Sequence, residues 1–492
     1  MASFLSCPTE LADTILEQVS FRDLTAVSLV NKKLHKFATP HLYSQVNFTI
    51  YRDNPRPIMH LARTIFNKPE LAKLVKSVRL RDGEESIQSM WEPGDWYGQY
   101  KVPLASPPHP AADDGLPEFV SFIAESGLSY ADIWIDKLQV GDLNAFVALL
   151  ISKLPNLARF RVGYAAILPF LGTRTSAKTK PRIVYDDAFL GKLFQSAVFD
   201  TSNHGLSRFE HLEEIFFPGP LESDPGPNPD FCHPQGLFTL LNLPSMRSIS
   251  GWCFNPKTLP FTWPSGLPDL TNLTSLSLKY VHINFLAQVL ERTRNLKTLS
   301  WEWFYIPDYG DQFNTDTLNL DKFVEALMPV QETLEDLTIK FTNCMGTWDP
   351  DVQRINVTGS LNGLQQFTGI KRFWAPFQLL LPDWESNANW ARRLEDSLPR
   401  NVEVVTVTDS VASTDGYPYD EPDEFAFLGR WLHETAATRT PHLSEVIVYM
   451  SDRSGFLESY ESFDMVHQAF EGTNVKYRII DEDKEVRLWE VV

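Results

Sequence analysis

Near the middle of the chain stand Leu273-Thr-Ser-Leu276-Ser-Leu278 and Leu296-Lys-Thr-Leu299-Ser-Trp301, and between them lies a stretch of helical period, Phe285–Thr293. In each short segment the apolar residues occupy the first, fourth and sixth places. The last two are two residues apart, the spacing that turns both side chains to one face of an extended strand. Strand, loop, helix and strand again is the unit of an α/β solenoid. No such unit buries its apolar face alone, so stacked neighbours share one continuous core.

The same signature recurs on both sides. It reads Val75–Leu80, Leu157–Val162, Leu212–Phe217 and Met246–Gly251 toward the N-terminus, and Leu334–Ile339, Ile370–Ala375, Val402–Val407 and Leu443–Val448 toward the C-terminus. Met246–Gly251 and Ile370–Ala375 match poorly, each having a small residue in the last place. Helix-period segments separate many of them: Leu143–Leu154, Ala188–Val198, Leu320–Met328, Trp390–Leu398, Phe425–Thr435 and Phe463–Phe470. An apolar-x-x-apolar-x-apolar core is that of a leucine-rich repeat, although the spacing here is far less regular than the ideal of about 20–29 residues. The expected fold is therefore α/β, an irregular leucine-rich-repeat-like solenoid over residues 49–492, with an irregular α/β domain of another kind as the alternative. Insertions rich in Pro, Gly and charge are expected near 91–117, 173–187 and 218–234.

Composition narrows the function. The chain has 492 residues, 43% hydrophobic and 22% charged, with 44 Lys+Arg against 63 Asp+Glu for a net charge of −19. Phosphate backbones select for basic surface, so neither nucleic acid nor an anionic membrane is an expected partner. Cys7, Cys232, Cys253 and Cys344 are too few and too scattered for a disulfide framework or a CxxC metal site. They read as reduced thiols of the cytoplasm or nucleus. No apolar run approaches the roughly 20 residues of a membrane helix, and MASFLSCPTEL lacks the basic flank and apolar core of a signal peptide.

Residues 1–48 have a separate character. Pro8-Thr9-Glu10 opens a helix carrying Leu11, Ile15, Leu16 and Val19, with Thr9 as the expected cap. Asp23 is the expected cap of a second helix with Leu24, Val27 and Val30. Asn31 caps a third, basic helix with Leu34, Phe37 and Ala38 inward, which Thr39-Pro40 is expected to end. So small a module has apolar surface in excess of what it can bury alone. An ordinary helical cap on the following domain is one reading of it.

Taken together, Cys7-Pro8-x-Glu10-Leu11-x-x-x-Ile15-Leu16, Arg22-Asp23-Leu24 and Val27-x-x-Val30-Asn31-Lys32-x-Leu34 resemble an F-box, and the whole chain is similar to fungal F-box proteins with degenerate leucine-rich repeats. The resemblance implies docking on a Skp adaptor, and through it on a cullin–RING ubiquitin ligase. Cys7, Pro8, Leu11, Ile15, Leu16, Leu24, Val27, Val30 and Leu34 then stand at adaptor-facing or motif-core positions. Cys7 replaces the usual leucine, and Asn31 and Leu34 stand near where a cysteine and an aromatic are common.

No catalytic constellation accompanies these features. Gly172–Thr179 falls one residue short of a phosphate-binding loop, having Ala177 where the cradle needs glycine, and Pro181 breaks the helix that should follow. His433-Glu434 lacks the second histidine of a zinc-protease helix, and Gly-x-Ser-x-Gly is absent. The aromatic run Trp301, Trp303, Phe304, Tyr305 reads as core more readily than as a stacking platform. The resulting expectation is a non-enzymatic, cofactor-free substrate receptor of an SCF-type ligase. A non-ligase scaffold and an enzyme with an unrecognised site are the alternatives. Between the inward positions of each strand lie the outward ones, which are the candidates for holding a protein target: Arg79, Arg159, Arg161, Phe216, Trp374 and Tyr449. The competing expectation is that these arginines pair with the chain's own carboxylates.

Overall fold

A computed structural model describes residues 7–50, 55–82, 116–163, 189–200, 205–217, 239–252, 270–279, 281–305, 315–343, 356–380, 394, 396–408, 422–450 and 466–481. The chain divides into two compact units, Met1–Gly219 with Gln235–Ile249, and Pro220–Pro234 with Ser250–Val492. Insertions 173–187 and 218–234, all of 91–117 except its last two residues, Gly172–Thr179 and Cys232, Cys253 and Cys344 lie outside the described residues.

The first unit begins with helices α1 (Thr9–Glu17), α2 (Phe21–Val30) and α3 (Lys32–Ser44). Leu16, Leu24 and Ala38 form their small core, with Val19, Val27, Phe37 and Leu42 packed against it. Asn31 caps α3 as expected, its Oδ1 accepting from the Lys33 and Leu34 amides at 3.0 and 2.9 Å. The other two caps differ from expectation. Pro8 precedes α1 without a side-chain cap, and Ser20 rather than Asp23 caps α2, accepting from the Asp23 amide at 3.2 Å while its hydroxyl donates to the Asp23 carboxylate at 2.7 Å. Nor does Thr39-Pro40 end α3, which continues to Ser44. Contacts beyond the proline hold that last turn: Leu42 packs on the core, and His41 Nε2 meets Asp13 Oδ1 at 3.2 Å. Tertiary packing thus overrides a local stop signal whose cost is about 3 kcal/mol.

From Ser44 the chain passes directly into β1 (Gln45–Ile50), so the boundary drawn after residue 48 falls inside a strand. β1 pairs in parallel with β2 (Ser77–Asp82), β2 with β3 (Arg159–Val162), and β3 with β4 (Glu214–Phe217). Behind them lie α4 (Arg56–Asn67), α5 (Leu116–Glu125), α6 (Ala131–Gln139), α7 (Leu143–Ile151) and α8 (Phe189–Phe199). Every residue of α7 is buried. Asp142 caps it, accepting from the Asn144 and Ala145 amides at 2.8 and 3.2 Å. The Trp134 indole on α6 donates to the Ala145 carbonyl at 3.0 Å, so its N–H is satisfied inside the core. Strand β5 (Ser248–Trp252) contains the division between the units.

The second unit repeats the plan. Strands β6 (Ser275–Lys279), β7 (Thr298–Tyr305), β9 (Asp336–Asn343), β11 (Arg372–Pro376), β12 (Val404–Thr408), β13 (Glu445–Met450) and β14 (Lys476–Asp481) pair in parallel in that order. A short parallel pair, β8 (Thr317–Asn319) with β10 (Asn356–Thr358), stands apart. Helices α9 (Ile283–Leu290), α10 (Leu320–Leu327) and α11 (Pro422–Glu434) fall on predicted segments. Trp301 is fully buried, stacks on Phe323 at 4.6 Å and donates to the Val281 carbonyl at 2.8 Å; Trp303 and Tyr305 are buried beside it. The aromatic run is core at these three positions.

All ten sequence segments are strands, including the two poor matches. Ile249 and Phe373 are each 1% exposed, because Gly251 and Ala375 shorten only the last inward position. Four further strands, β1, β14 and the short pair β8 and β10, lie outside those segments. Successive rungs are also stitched by a device absent from the apolar pattern. Asn156, Asn295 and Asn401, each just before a repeat's first apolar residue, donate their side-chain amides to the carbonyls of Lys73, Thr271 and Thr368 in the preceding rung.

Candidate functional site

The helical module leaves a broad apolar surface. Leu11, Ile15, Phe21, Leu29 and Val30 are 56, 47, 66, 80 and 67% exposed. Of the predicted adaptor-facing positions, Pro8, Leu11, Ile15 and Val30 are exposed, while Cys7, Val27 and Leu34 are half-buried. Leu16 and Leu24 take motif-core places rather than adaptor-facing ones: both are buried in the module's own core. Phe21 and Leu29 were missed, although α2 carries apolar residues on more of its circumference than one buried stripe requires.

The sheet face of the first unit carries a basic cluster. Register places Arg79 opposite Arg161 and Ser77 opposite Arg159 on adjacent strands, which brings the arginines together. Arg81 lies opposite Thr49 of β1, and Phe216 lies opposite Arg161. Arg159, Arg161 and Phe216 are exposed, and Arg79 is half-buried. The Arg161 guanidinium donates through Nε and Nη2 to Glu214 Oε1 at 2.9 and 2.6 Å, so for this arginine the competing expectation of internal pairing holds. Arg79 is held below its ordinary pKa, first by partial burial and then by the charges of Arg81 and Arg161.

The corresponding face of the second unit differs. Lys279, Glu302 and Lys340 occupy one cross-strand row. Glu302 is only 3% exposed. The Lys279 ammonium lies 2.8 Å from its Oε2 but outside hydrogen-bonding geometry, so charge rather than a directed bond holds the pair. Lys340 lies over the Trp374 ring at 4.4 Å, and Trp374 stacks on Tyr449 at 4.7 Å. Tyr449 is 9% exposed and Thr406 and Thr408 are buried with it, whereas Trp374 is half-buried and Arg372 exposed, so this face is closed locally, around Glu302 and along β12 and the end of β13. The six predicted target-binding residues thus form two groups, Arg79, Arg159, Arg161 and Phe216 in the first unit and Trp374 with Tyr449 in the second.

A sequence profile described as a leucine-rich repeat domain matches residues 49–478. The chain belongs to the leucine-rich repeat family. That membership accounts for the recurrent inward apolar positions and supports a protein partner in general. The matched span begins after α3 and leaves the helical module outside it. No curated protein matches the sequence. Among the described residues no cluster of three His, Cys, Asp or Glu side chains could hold a metal ion, and no helix is long and apolar enough to cross a membrane.

Proposed function

We propose that this leucine-rich repeat protein is the target-binding subunit of an SCF-type ubiquitin ligase, acting in the cytoplasm or nucleus. In this reading the helical module docks on a Skp adaptor and thereby on cullin, and the repeats hold a protein target. The subunit performs no chemistry itself. Holding target lysines beside a charged conjugating enzyme raises their effective concentration, which needs no acid, base or nucleophile.

One observation carries the proposal. The segment that resembles an F-box presents Leu11, Ile15, Phe21, Leu29 and Val30 to solvent on helices whose own core is already filled. An apolar patch of this kind marks an interaction surface. Burying one such side chain contributes about 1.5–3 kcal/mol, so Leu11→Asp with Val30→Asp should weaken adaptor binding well over tenfold without disturbing the core. Leu24→Asp is unsuitable because it strikes that core. Calorimetry with purified Skp adaptor and co-purification of cullin test the point. Unchanged adaptor affinity in the double variant would reject it, and target capture without cullin would favour the non-ligase scaffold.

A further inference from the structure

The outward residues of β2 and β3 form three levels of positive charge. Arg159 occupies the first, opposite Ser77 on one side and Glu214 on the other. Arg79 and Arg161 share the second, flanked by Asn47 and Phe216. Arg81 occupies the third, beside Thr49. Levels separated by two residues along a strand are about 6.7 Å apart, and neighbouring strands are about 4.8 Å apart. Like charges directly opposite on adjacent strands destabilise a sheet. Glu214 offsets Arg161, while Arg81 and Arg159 make no ion pair among the described residues.

We propose that this face binds an extended protein segment carrying Asp or Glu at alternate positions, a refinement that rests on the target-binding role proposed above. The match is one of period. An extended segment repeats its side-chain direction every two residues, at the same spacing as the three levels. Its carboxylates at positions one, three and five therefore meet Arg159, the Arg79–Arg161 pair and Arg81 in turn. A run of contiguous acidic residues would direct half its carboxylates away from the sheet. Guanidinium groups suit this task because their planar donors accept a carboxylate in bidentate fashion. The chain's overall negative charge does not forbid it, since charges beyond about 8–10 Å are screened at ordinary ionic strength. Phe216, 41% exposed in the second level, bounds the site on the β4 side and gives the segment an apolar contact.

Two fluorescein-labelled peptides of one composition test the proposal on the full chain by anisotropy at low salt. One has the core Glu-Thr-Glu-Thr-Glu, and the other has Glu-Glu-Glu flanked by the same threonines. The alternating peptide should bind about threefold more tightly, as expected for one additional exposed ion pair. Arg81→Gln with Arg159→Gln should reduce its affinity about tenfold. Both arginines are exposed, so the melting temperature should stay within about 2 °C of the parent. Equal binding of the two peptides, or parental affinity in the double variant, would overturn the inference. Adaptor capture is measured on the same preparations. Loss of peptide discrimination with adaptor capture intact defeats this inference alone, and loss of adaptor capture with discrimination intact defeats the ligase reading alone.

Discussion

The two units build their sheets from one inward pattern yet finish their outward faces in opposite ways. In the first, Gln45, Asn47, Thr49, Arg159 and Arg161 stand in solvent, and the excess charge is positive. In the second, Glu302, Thr406, Thr408 and Tyr449 are buried, lysine charge is offset by a carboxylate, and the Trp374–Tyr449 stack lies across β12. Inward positions answer to a shared core and so converge on Leu, Ile, Val and Phe. Outward positions answer to nothing in the solenoid. They are where one part of the chain can become a charged surface while another becomes a second small core.

The largest effect that would break this contrast is expected at Lys279. Lys279→Met leaves Glu302 without that cation in a buried site, which should cost about 3 kcal/mol by urea denaturation. A loss below 1 kcal/mol would mean that the closed face is far wetter than its burial implies. Next comes Trp374→Ala, which removes the stack on Tyr449 and the ring beneath Lys340. It should cost about 2 kcal/mol and speed hydrogen exchange in β12 and β13 first.

A smaller effect of opposite sign is expected behind the open face. Burial brings the Lys153 ammonium down to about 8, although Phe122 and Phe66 face it at 3.3 and 4.9 Å. A lysine whose folded value lies below its unfolded one costs stability while charged. That cost is complete below pH 8 and is relieved as pH rises toward the unfolded value, about 10.4. Lys153→Met should therefore be more stable than the parent by about 1 kcal/mol at pH 7, after allowance for partial solvation and the lost ring contacts, with the gap closing by pH 10. Melting curves at the two pH values decide the sign. The smallest effect is expected at Arg161→Met, the open counterpart of Lys279→Met. Its pair with Glu214 is exposed and should be worth less than about 1 kcal/mol.

Much of this architecture was legible because it is periodic. The strand pattern found all ten central rungs, and its alternation found the outward arginines. It failed at the ends. β1 was hidden because Thr39-Pro40 read as the close of a helical module, whereas Leu42 and His41 carry α3 through the proline into the sheet. β14 was hidden because Tyr477 and Ile479 lie inward behind Asn474, where the pattern asks for an apolar residue. Helix α4 was overlooked despite a helical signal, since Ile58, Met59, Ala62 and Ile65 share one buried face. Two features of the candidate surfaces depended on distance rather than pattern. Arg161 meets Glu214 across 53 residues of sequence, and buried Glu302 stands between Lys279 and Lys340 of the two neighbouring strands.

The asparagine stitches carry a consequence for how such a chain can change over generations. Asn156, Asn295 and Asn401 each fasten a rung to the backbone of the rung before it, not to a particular side chain. A copied rung therefore brings its own fastening and finds a carbonyl to receive it wherever it lands. The connecting segment can lengthen at little thermodynamic cost, since doubling a flexible loop adds only about 0.6 kcal/mol of closure entropy. At these three places the interval before a rung can stretch while the fastening and the strand register stay as they are, so an uneven repeat need not loosen the ladder.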